Sequence, residues 1–183
     1  QVRLERCVQR IREARSDGRP VILTFGAHLV KNGLGPLVIQ LIEAGWITHL
    51  ATNGAGSIHD WEFGYIGEST EDVRANVAQG CFGTWEETGR WLNLAVAAGA
   101  LGGLGYGASV GRMASEQCVL IPERRQLIDM VRAAADGDAD WEAAAAASDL
   151  LHLMEHHQTP AGETPLPHAR PDVCMQRAAW QAG

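Results

Sequence analysis

The chain has 183 residues, 46% apolar and 20% charged, which suffices for one globular domain with a core and is cramped for two. A net charge of −7, with fourteen arginines beside the single lysine Lys31, supplies no basic stripe, so nucleic acid is excluded as the main partner. No apolar run reaches the ~18 residues that a membrane helix needs.

In chain order, Val2, Leu4, Val8 and Ile11 among arginines and glutamates predict an amphipathic helix, stopped by Asp17-Gly18. The β-rich run Val21-Ile22-Leu23-Thr24-Phe25 reads as a buried strand, closed by Gly26-Ala27-His28. Leu34 to Ala44 alternates helically, with Pro36 tolerable in the first turn and Gly45 as a stop. Ile47 to Thr52 is a second strand, then Asn53-Gly54-Ala55-Gly56 turns the chain into a helix that starts near Ser57. Connections this short predict a βαβ unit with parallel strands. Both strand ends then face one crevice, between the loops Gly26–Gly33 and Asn53–Asp60, where open α/β sheets bind ligands. His28, Lys31 and Asn32 approach it from one side, and Asn53, Ser57, His59 and Asp60 from the other. Ser57 as an N-cap and Asp60 as a first-turn acid need no ligand at all.

The rest reads as helix. Ser69-Thr70-Glu71-Asp72 and Thr84-Trp85-Glu86-Glu87 each resemble a helix start. In Gly99 to Gly111, Gly103, Gly107 and Gly111 fall four apart, which favours close helix packing over phosphate binding. Cys118 to Ile121 is a candidate strand, Pro122 to Ala135 and Asp140 to His157 are helices, and Thr159 to Pro171 is a proline loop before a last helix from Asp172 to Trp180. A helix ending in Gly183 is commonly followed by a strand, so the α/β pattern is expected to continue past residue 183. Four scattered cysteines, without a CxxC, favour a reducing cytoplasm over a disulfide framework or a zinc cage. His152-Leu153-Met154-Glu155-His156 is a literal HxxEH, the inverted zincin pattern. It would need both imidazoles on zinc, Glu155 as base and a third ligand such as Glu163. Its place at the end of an alanine-rich helix, before a proline loop, leaves no metal ligand among the expected site residues.

The segments Gly26-Ala27-His28-Leu29-Val30-Lys31-Asn32-Gly33 and Thr52-Asn53-Gly54-Ala55-Gly56-Ser57-Ile58-His59-Asp60 together resemble the first two nucleotide-binding loops of deoxyhypusine synthase. The turn with His59-Asp60 and Glu62 is similar also to the ornithine cyclodeaminase-type domain of some arginine dihydrolases. The resemblance covers about residues 20 to 65 and weakly the remainder. It implies a single α/β domain with a Rossmann-like parallel sheet, flanking helices and a helix-rich second half, binding NAD, oligomeric, and acting on an amine such as a polyamine or a basic amino acid. Gly26, Asn32, Thr52, Asn53, Gly54, Gly56 and Ser57 would hold NAD. His59 and His28 would be the acid–base groups, with Asp60 orienting a histidine or holding an ammonium. His59 stands where the synthase carries an acid, and Lys31 does not match its catalytic lysine, which lies in a C-terminal segment without a counterpart here. The rival expectations are a nucleotide-binding module without turnover and a zinc hydrolase through residues 152–156.

Overall fold

The structure is a computed structural model that describes residues 2–69, 71–83, 85–137 and 140–183. Helix α1 (Val2–Ser16) has no buried residue and meets the rest of the chain where the Arg15 guanidinium lies 4.0 Å from the centre of the Trp46 ring. Strand β1 (Ile22–Phe25), helices α2 (Ala27–Lys31) and α3 (Gly35–Glu43) and strand β2 (His49–Thr52) form a βαβ unit as the sequence predicts, except that α2 occupies the expected loop Gly26–Gly33 and neither strand is buried. The two strands run parallel, Ile22 opposite His49 and Phe25 opposite Thr52.

Helix α4 (Gly54–Tyr65) begins one turn before Ser57. Asn53 is its N-cap, the side chain accepting the Gly56 N–H at 2.9 Å, so Ser57 is released from the capping role. Gly56 is required here: a Cβ would run into Thr52 Oγ1 and come within 3.3 Å of the Gly26 Cα. Asp72 caps α5 (Val73–Ala78) by accepting the Ala75 N–H at 3.0 Å. The expected start at 69–72 ends on this cap and the one at 84–87 holds the N-cap of the next helix, Trp85, while Thr70 and Thr84 themselves lie outside the described residues.

Helices α6 (Glu86–Leu101) and α7 (Tyr106–Glu116) follow, then β3 (Cys118–Ile121), α8 (Arg124–Ala135) and α9 (Trp141–His156). The proline loop contains a short strand, β4 (Gly162–Pro165), and a 3-10 turn (Pro171–Val173) leads into α10 (Met175–Ala182).

The expected Rossmann-like parallel sheet with flanking helices is not formed, and with it the deoxyhypusine synthase-like fold expectation is corrected. The described strands make two separate pairs, β1–β2 parallel and β3–β4 antiparallel, inside a mostly helical chain. The reason lies in the apolar spacing after β2. Leu92, Leu94, Ala95 and Ala97 of α6, and Ala144, Ala147, Leu150 and Met154 of α9, are buried at helical intervals, and the later β-rich run Cys118–Ile121 pairs with β4 rather than extending the parallel pair.

Two cores result. The larger gathers Trp61, Leu92, Leu94, Val110, Met113, Ile121, Leu127, Leu150 and Leu166 between α4, the later helices and the antiparallel pair. The smaller places Val30, Val38, Ile39, Ile42 and Ile47 of the βαβ unit against Met175 and Ala178 of α10. Glycine packing is confirmed in part. A Cβ on Gly111 would meet Gln176 O at 2.6 Å and Trp180 Cβ at 2.9 Å, and one on Gly99 would collide with Ser109. Gly103 and Gly107 face open space. Among the described residues no single helix is long and apolar enough to cross a membrane.

Candidate functional site

Helix α4 presents two faces with different chemistry, and residue spacing decides which is which. Ser57, Asp60, Trp61 and Gly64 point into the protein, whereas Ala55, Ile58, His59 and Glu62 line a cleft of about 710 Å³. Its other walls are Lys31 of α2, Glu71 and Val73, Phe82 to Trp85 apart from the undescribed Thr84, the first half of α6 (Thr88, Leu92, Asn93, Val96) and Tyr106. A volume of this size suits a small organic ligand or a cofactor fragment.

Within the cleft, His59 Nδ1 lies 2.9 Å from Glu62 Oε2, the i,i+3 spacing placing both side chains on one side of the helix. Thr88 of α6 donates its hydroxyl to the other carboxylate oxygen, Glu62 Oε1, at 2.9 Å. Glu62 is 3% exposed and Thr88 5%, so a carboxylate removed from bulk water is fixed from two helices. In the tautomer that carries its proton on Nδ1 the imidazole donates to Glu62, and Nε2 is then the ring's acceptor. At the cleft rim Glu71 Oε1 accepts from Gly83 N–H (2.9 Å) and Asn76 Nδ2 (3.1 Å), tying the α5 segment closed on itself.

The inward face is a structural junction. Asp60 is fully buried and accepts the backbone N–H groups of Met175 (2.8 Å) and Gln176 (2.9 Å), the Gln176 side-chain amide (3.2 Å) and the Cys174 thiol (3.4 Å). It thereby caps the first turn of α10, taking up N–H groups that have no intrahelical acceptor. Burial raises the Asp60 pKa, opposed by the Gln176 and Met175 N–H groups. Burial, with Asp60 beside it, pushes the Cys174 thiol well above its ordinary value. Ser57 donates to Gln176 Oε1 at 2.6 Å, with the Tyr106 hydroxyl 3.3 Å away.

The strand ends come together as the βαβ topology requires, but their side chains serve the fold. Thr52 donates to Phe25 O at 2.9 Å, Asn53 caps α4, and Asn32 Nδ2 closes the end of α2 on His28 O at 2.7 Å. Gly26 precedes α2 and packs against Gly56, and Gly54 has open space around it. His28 is exposed and does not line the cleft. Of the ten expected site residues, then, His59 alone stands in the cleft wall. The main-chain N–H groups of Gly54 and Ala55, the first of α4, have no intrahelical acceptor, and Lys31 stands at the same cleft as Ala55. That donor set fits an anion such as a phosphate.

Glu62, Thr88, Glu71 and Asn93 are the cleft residues that the sequence reading left out. The spacing of His59 and Glu62 was the one usable signal, since residues three apart share a helix face. Thr88 is brought in across 26 residues and carries no local mark.

The HxxEH stretch does not assemble the inverted zincin ligand set. Glu155 is ion-paired with Arg124 of α8 at 2.9 Å, and Glu163 lies on β4 opposite Leu120. No family model, curated protein or solved structure matches the chain.

Proposed function

We propose that the cleft binds a small organic amine, such as a polyamine or a basic amino acid, and that His59 exchanges a proton with it. The observation that carries this reading is the Thr88–Glu62–His59 chain on the cleft wall. A buried carboxylate beside an imidazole positions that ring for general acid–base catalysis, in which proton transfer by a positioned side chain contributes typically about 10²–10⁴-fold to rate. Glu62 in the wall and Glu71 at the rim suit an ammonium, and Phe82 and Trp85, which line the same cleft, are side chains that attract cations. With Glu62 ionised, Nε2 of His59 takes a proton from the bound ammonium, leaving a neutral amine and an imidazolium that Glu62 stabilises.

The Lys31 end of the cleft suits the phosphates of NAD, which the Lys31 ammonium and the N–H groups of the first residues of α4, Gly54 and Ala55, would hold. When bound, NAD would supply the hydride acceptor for the carbon bearing the neutral amine. The side chains of Asn32, Thr52, Asn53 and Ser57, engaged in the fold, are left out of this reading.

Calorimetric titration with spermidine, with and without NAD, tests it. The wild-type chain is expected to bind the amine, and Glu62→Gln to lose that binding. His59→Gln should still bind but generate no NADH. Failure of the wild type to bind spermidine, arginine or ornithine, or binding indifferent to Glu62→Gln, would overturn the amine reading. Binding of NAD and amine without NADH formation would favour the nucleotide-binding module without turnover.

A further inference from the structure

We propose that Glu86, His156 and His157 form a binding site for a late first-row divalent cation, zinc being the probe of choice, at the junction of α6 and α9. One ligating atom from each of the three residues falls within 4.8 Å of the other two. His157 Nδ1 is already 3.0 Å from Glu86 Oε1, close to the separation of about 3.3 Å between neighbouring ligands 2.0 Å from a tetrahedral ion. Two imidazoles and one carboxylate are a donor set typical of zinc, with a fourth position left for water.

The site is built from two separately anchored elements. Glu86 is the first residue of α6, and His157 is the C-cap of α9, whose side chain is only 7% exposed. His156 is exposed, with its ring centre 4.6 Å from that of His157, so it turns toward an incoming ion without disturbing the core. His152, one turn back, stacks on His156 at 6.2 Å.

This ligand set differs from the HxxEH motif: it uses the motif's last histidine with its neighbour and an acid 70 residues earlier. It does not depend on the amine reading, because none of its three residues lines the cleft. Its consequence is mechanical. Glu86 follows Trp85 directly and lies two residues before Thr88, so a bound ion fixes the start of the helix that carries both cleft residues to the end of α9. Without an ion, the same contact is a His157–Glu86 pair joining the positive end of α6 to the negative end of α9.

The test uses the full chain without a polyhistidine tag, stripped by chelator, in a Cys7→Ser, Cys81→Ser background, because both thiols are exposed and thiolates are zinc ligands that would compete with the site. Competition against a chromophoric zinc indicator should give one zinc per chain, with a rise in the thermal midpoint. Glu86→Gln and His156→Gln, both at exposed positions, should each weaken binding by at least about tenfold while keeping the metal-free midpoint. His152→Gln should leave affinity unchanged. Absence of saturable binding at millimolar zinc overturns the proposal, and so does binding that survives Glu86→Gln. Binding lost on His152→Gln and kept on Glu86→Gln also overturns it, and would restore the HxxEH set.

Discussion

Asp60 and Glu62 are both buried carboxylates on α4, two residues and about 200° apart around its axis, and they face two different regions. Asp60 looks into the junction with α10, where four donors converge on it. Glu62 looks into the cleft, where it holds an imidazole whose second nitrogen is left for a ligand. Burial alone therefore does not mark a functional acid. What separates the two is the identity of the donors: backbone amides at a helix start make Asp60 a fastening, and a titratable ring in a cavity wall makes Glu62 a candidate for chemistry.

The sharpest way to break this contrast is Asp60→Ala. It orphans the Met175 and Gln176 N–H groups in a dry site, at about 1–3 kcal/mol for each unsatisfied donor. A loss on the order of 4 kcal/mol in denaturant unfolding is expected. A loss below about 1 kcal/mol would mean that α10 is held by its apolar face alone.

Gly111→Ala attacks the same junction from α7. Its Cβ would lie 2.6 Å from Gln176 O and 2.9 Å from Trp180 Cβ, so α7 and α10 must separate. A cost of about 1–3 kcal/mol is expected in the same unfolding measurement, and Gly107→Ala, in open space, should cost nothing measurable.

Glu62→Gln sharpens the comparison from the other face. It keeps the shape and one acceptor for Thr88, so unfolding should change by only about 1 kcal/mol. Amine binding should nevertheless be lost. A fall in stability as large as that of Asp60→Ala, with ligand binding intact, would make Glu62 a second fastening.

How far these two regions were legible follows from where their partners lie. The βαβ unit was readable because its apolar runs, its helix stop and its turn are contiguous, and the parallel pairing of Ile22–Phe25 with His49–Thr52 follows from connection length. Extending that unit to a Rossmann-like sheet failed because sheet size depends on strands elsewhere, and the later apolar residues are spaced for helices. Gly162–Pro165 is a strand with no apolar alternation, recruited by Cys118–Ile121 and invisible without it. His59 beside Glu62 was legible in the i,i+3 spacing. The partners of Asp60 lie 114 to 116 residues away, so nothing local to it marks its place in the junction.

The smallest expected effect concerns His168, which stands on the core side of α4. Its ring meets Trp61 edge-on at 6.1 Å and Tyr65 at 5.5 Å, with Nδ1 2.8 Å from Leu166 O. Burial, with Arg177 nearby, lowers its pKa below the usual 6.5, while the Leu166 carbonyl opposes the shift. Below pH 6.5 the unfolded chain therefore takes up a proton that the folded chain refuses. Stability from this residue is complete above 6.5, falls as the pH drops through that value, and levels off below the lowered folded pKa. His168→Gln removes the titration, so the drop in thermal midpoint between about pH 7.5 and pH 5.5 should be smaller in the variant than in the wild type. Equal drops would show that the ring takes its proton in the folded chain as readily as in water. Glu62 lines the cleft and is not among the groups that shift His168, so Glu62→Gln should leave the difference between the His168 forms unchanged.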